Sequence, residues 1–173
     1  MKRNNKIILG TGIATFFFGF GAAALLNLYL FAIKSPLVLS FRSSLNFISS
    51  IFGDGIVLPL VNMLVVWFLL ENEKYVNRLR IILGAGIGLL ITIYFHVSQG
   101  LQGLVNWSMP TPWHWNFLGL WHGIYMLAVT SLLSLYFVVS ISVIRKTGKI
   151  SKYLPVVILG LIVFLILLKL DYT

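Results

Sequence analysis

Residues 117–149 read FLGLWHGIYMLAVTSLLSLYFVVSISVIRKTGK, a long run without Asp, Glu, Lys or Arg that stops at Arg145-Lys146-Thr147-Gly148-Lys149. A helix rises 1.5 Å per residue, so about 20 apolar residues cross a hydrocarbon layer of about 30 Å. The stretch before the basic stop exceeds that length. Four further apolar runs lie around it, at 7–33, 52–70, 79–97 and 154–170. Together they take up most of the 173 residues, of which 59% are apolar and only 10% charged; the mean hydropathy is +0.97. Ordinary soluble domains carry about 25% charged residues. The sequence therefore predicts an all-α integral membrane protein, a compact single-domain bundle of five transmembrane helices over residues 1–173. Its extracytoplasmic connectors are expected at 34–51 and 98–116.

The flanks refine these spans. The first follows Met1-Lys2-Arg3-Asn4-Asn5-Lys6 and ends at Lys34-Ser35-Pro36. Ala22-Ala23-Ala24 raises the alternative of a cleaved signal peptide, but the run is much longer than a signal core of about 7–15 residues. In 37–50, Val38, Phe41, Leu45 and Ile48 fit one helical face, as in a helix lying in an interface; a lid or a plain connector fits as well. Pro59 falls in the first turns of the second span, where a helix tolerates it best. Gly84 and Gly88 have the GxxxG spacing that lets helices approach closely.

Five spans put the termini on opposite sides, and the basic residues choose the orientation. With the N-terminus cytoplasmic, Lys2, Arg3, Lys6, Lys74, Arg78, Arg80, Arg145, Lys146, Lys149 and Lys152 lie inside, ten of the thirteen. Lys34, Arg42 and Lys169 lie outside, as does the C-terminus. This bias predicts a multi-pass protein of a prokaryotic cytoplasmic membrane. It accounts for the net charge of +9 without nucleic acid as a partner. No cysteine is present, which removes disulfide, thiolate and cysteine-zinc chemistry.

The same orientation gathers Asp54, His96, His114 and His122 on the outer side, with Trp107, Trp113, Trp115 and Trp121. An aromatic belt at the membrane–water boundary explains the tryptophans. Asp54, between Gly53 and Gly55, has two readings: a helix N-cap, or a catalytic or ligating carboxylate. His96 is either a catalytic group or a boundary histidine bonded to a carbonyl or water. His122 has Gly119 and Tyr125 one turn away on either side, the makings of a polar notch.

Histidine titrates near neutrality and suits a general base. Asp54, His96 and His122 are thus the catalytic candidates, with Arg42, Asn106, Trp107, His114, Trp121 and Tyr125 placed to hold substrate. One Asp and three His are also ligand types that zinc accepts, but gaps of 18 and 8 residues between the histidines are not a metal motif. A divalent-metal site would need several helix ends to converge.

An aspartate with three histidines in a helical bundle distantly resembles the zinc amidohydrolases of the alkaline ceramidase and adiponectin-receptor superfamily. That resemblance implies metal-assisted hydrolysis. It covers only Asp54 and isolated histidines. Family members usually have seven spans, a serine and a paired HxxxH motif, whereas here Met126 stands at the matching position after His122.

Two functions follow as expectations. One is a small membrane-embedded hydrolase or transferase of lipid metabolism, acting at the outer leaflet on a lipid or lipid-linked substrate. The alternative is a non-enzymatic membrane protein: a binding subunit, a partner in a larger complex or a small carrier. A helix–helix partner or a homo-oligomer fits the glycine-rich faces of the first and third spans.

Overall fold

The computed structural model describes residues 3–32, 52–106, 113–149 and 153–172, with side chains described for 3–21, 52–53, 55–94, 124–149, 153–163 and 165–166. Five long helices are present among the described residues, so the all-α expectation holds. They are α1 (Arg3–Ala32), α2 (Leu58–Glu71), α3 (Arg78–Asn106), α4 (Trp113–Thr147) and α5 (Leu154–Tyr172). A π-helical turn, Gly53–Val57, leads into α2, and a 3-10 turn, Glu73–Tyr75, precedes α3. Helix reaches into the 98–116 stretch from both sides, since α3 runs to Asn106 and α4 begins at Trp113. The stretch 37–50 lies outside the described residues.

The five-span membrane topology is corrected. Among the described residues one helical segment, Ile124–Thr147, has the length and hydropathy to cross a membrane, with 24 residues at a mean hydropathy of 2.2. Two shorter apolar helical segments, Gly55–Glu71 and Leu154–Val163, stand beside it among the described residues. The multi-pass location and the cytoplasmic N-terminus rested on all five spans and are not supported with one.

The chain forms two compact units, Met1–Glu71 with Ile150–Thr173, and Asn72–Lys149. In the first, α2 packs against α1 and α5. Leu58, Val61, Val65 and Phe68 repeat at helical spacing and are buried, with Asn62 beside them. The Asn62 amide donates to Thr15 Oγ1 at 3.1 Å, and Thr15 donates to the Thr11 carbonyl at 2.8 Å. α5 approaches closely at Gly160, where a Cβ would stand 2.4 Å from Val61 Cγ2. Pro59 accounts for the π turn: it lacks the N–H that would bond the Gly55 carbonyl four residues back. The ladder widens there, and the Leu58 N–H donates to the Gly53 carbonyl five residues back.

The second unit is a helical hairpin of α3 and α4. Its seam is built from small residues. A Cβ on Gly84 would lie 2.8 Å from Leu135 Cα, and one on Gly88 2.5 Å from Ser131 Cα. The pairing runs down α4 as it climbs α3, so the helices are antiparallel. The GxxxG pair is thus a true contact. One turn on, the hydroxyls of Thr92 and Thr130 stand 2.9 Å apart, and each lies within 3.0 Å of the Gly88 carbonyl.

Both helix ends at the basic end of the hairpin are capped. Asn77 Oδ1 accepts from the Arg80 N–H at 3.0 Å at the start of α3. At the end of α4, Gly148 adopts φ 65° and its N–H donates to the Ile144 carbonyl at 2.8 Å. An L side chain is strained there, so Gly148→Ala is expected to lower stability by about 1 kcal/mol, read as a drop in the thermal unfolding midpoint by circular dichroism.

Candidate functional site

The residues singled out from the sequence are distributed over both units. Asp54 lies within the π turn of the first unit; no side chain caps that turn at Phe52. His96 and Asn106 lie on α3, and His114, Trp121, His122 and Tyr125 on α4, all in the second unit. Arg42 and Trp107 fall outside the described residues. The side chains of Asp54, His96, Asn106, His114, Trp121 and His122 are likewise outside them.

The hairpin contacts set residue 84 against 135, 88 against 131 and 92 against 130. Tyr125, expected one turn deeper, is buried at 6% exposure.

The hydrolase or transferase at the outer leaflet is also corrected. Its outer leaflet came from the five-span topology, and the single candidate span removes that frame. Among the described residues no group of three His, Asp or Glu side chains converges on a common point.

The described residues instead build an open apolar groove of about 610 Å³ within the first unit. Its lining includes Ile8 of α1, Leu60, Met63 and Trp67 of α2, and Leu159 and Val163 of α5. Gly160 of α5, where the helix lies close on Val61, is itself part of the lining. The Trp67 ring meets Tyr153 edge-on, with centroids 4.3 Å apart and planes at 61°. That contact fixes the indole at the groove. Among the described residues that line the groove, none is charged.

Sequence reasoning missed the groove. Its signals were Gly160, alone in the aliphatic α5, and Trp67, apart from the other four tryptophans. A second feature is the polarity of α3. Its described inward positions, Gly84, Gly88 and Thr92, are small or polar, while Leu79, Ile82, Leu90 and Tyr94 are at least 60% exposed. Contiguous apolar exposure of this kind marks a surface that meets apolar matter.

No family model matches the chain, and neither do the curated proteins or the solved structures compared with it.

Proposed function

We propose that this chain is a helical binding protein that holds the hydrocarbon part of an amphiphile in the groove of its first unit. The observation that carries the reading is the 610 Å³ groove with its apolar lining. Small-molecule sites occupy about 300–1,000 Å³. A partner helix is about 10–12 Å across with its side chains, so three turns fill well over roughly 1,000 Å³. An extended hydrocarbon chain fits the space where a helix does not. Burial of apolar area at about 25 cal/mol per Å² supplies the affinity, and the polar head of the ligand stays at the mouth, since nothing in the described lining receives it.

Trp67 provides the test. With Trp107, Trp113, Trp115 and Trp121 replaced by Phe, it is the one fluorophore of its kind left. Titration with a bromine-labelled long-chain fatty acid is expected to quench it saturably. Leu159 is 62% exposed, so Leu159→Asp leaves the fold intact while placing a charge on the groove wall. This variant is expected to bind about tenfold more weakly, a change of about 1.4 kcal/mol. Quenching that never saturates, or that Leu159→Asp leaves unchanged, refutes the reading.

A further inference from the structure

The second unit has a charge pattern that the groove does not explain. Between Asn72 and Lys149 it carries six cations, Lys74, Arg78, Arg80, Arg145, Lys146 and Lys149, against one acid, Glu73. All six fall at one end of the hairpin, where α3 begins and α4 stops. Five are exposed; Arg80 is half-buried. None of them is ion-paired with a carboxylate among the described residues.

The arrangement is held in place. The buried Tyr75 ring carries the Lys74 ammonium 5.2 Å from its centroid and the Lys146 ammonium 5.7 Å away. One ring thus draws together cations from both sides of the hairpin. The Arg80 guanidinium donates to the Tyr75 carbonyl, which fixes the turn bearing Lys74. The Gly148 cap stops α4 immediately before Lys149, whose N–H donates to Thr147 Oγ1 at 3.3 Å.

Helix electrostatics explains only part of this. Arg145 and Lys146 stand in the last turn of α4, where cations complement the dipole. Lys74 and Arg78 stand at the start of α3, the positive end, where a cation is unfavourable. Holding like charges together without carboxylate partners raises the local potential, and a bound anion relieves it.

The structure assigns to this end of the hairpin a binding site for a phosphate-bearing anion. Arg78 and Arg145 offer planar forks to paired phosphate oxygens, and Lys74 and Lys146 act as point charges fixed on Tyr75. The same chemistry serves a phospholipid head group and a soluble phosphorylated molecule.

Two arms of one experiment separate these sources. The full chain is titrated with inorganic pyrophosphate by calorimetry, and is floated with vesicles of phosphatidylcholine with or without phosphatidylglycerol. Pyrophosphate binding identifies a soluble ligand. Binding only to vesicles that contain phosphatidylglycerol identifies a head group. In either arm, the double variant Lys74→Gln/Lys146→Gln is expected to bind at least tenfold more weakly. The control Arg3→Gln/Lys6→Gln removes the same charge from α1 and is expected to stay within about twofold of the parent. Unfolding midpoints within a few degrees of the parent establish that both variants fold. Equal weakening in the two double variants, or no binding in either arm, overturns the assignment.

Discussion

Gly88→Leu is expected to destabilise the α3/α4 hairpin by at least about 3 kcal/mol, the upper end of what overpacking costs. A Cβ at this position would lie 2.5 Å from the Ser131 backbone N and Cα. Backbone atoms cannot rotate aside, so the helices must separate. Separation also strains the hydroxyl contacts of Thr92 and Thr130 with each other and with the Gly88 carbonyl, on which the buried seam depends. At Gly86, two residues earlier, an added Cβ would meet nothing within 4 Å. Gly86→Ala removes a helix-interior glycine without a clash and is expected to gain about 0.5–1 kcal/mol. Thermal unfolding followed by helical circular dichroism reads both variants. Equal midpoints for Gly86→Ala and Gly88→Leu would show that the seam is not as closely packed as its geometry.

The GxxxG seam was legible in the sequence because a spacing of four residues is a local property. Its consequence for α3 was not. With glycine and threonine turned inward, the leucines and isoleucines that made 79–97 look like a span point outward, where Leu79 and Leu90 are 65% and 68% exposed. Composition counts those residues without regard to direction. Pro59 was expected to be tolerated near a helix start, and it is, yet the missing N–H widens the turn around Asp54 into a π-helix. No local signal specifies that outcome. The groove was hidden for a different reason: it is lined by three helices distant in sequence, and which of their residues meet is not a local property. The basic residues were visible as a count. Their gathering around Tyr75 depends on the antiparallel register and on the Arg80 contact, which only the folded hairpin provides.

Asn62→Asp is expected to cost the first unit about 3–5 kcal/mol, the range for an uncompensated buried charge. Asn62 is 2% exposed in the core of α2. Its amide donates to Thr15 Oγ1, while its Oδ1 has no hydrogen-bond partner among the described residues. Aspartate replaces the donor with a second acceptor. Thr15 already gives its one proton to the Thr11 carbonyl, so two oxygens then face each other without a proton between them. Protonating the carboxyl removes the charge, and the deficit is expected to shrink as pH falls. Asn62→Leu makes the opposite change. It removes the unsatisfied oxygen together with the amide, and Thr15 keeps its bond to Thr11. Thr15 Oγ1 loses one donor while its own proton stays bonded, so this variant is expected to cost only about 0.5–1.5 kcal/mol, the net worth of one hydrogen bond. Denaturation midpoints at neutral and acidic pH distinguish the two substitutions. If Asn62→Leu proved as damaging as Asn62→Asp, the Asn62–Thr15 bond would be a cross-link that the unit requires rather than a polar contact that it tolerates.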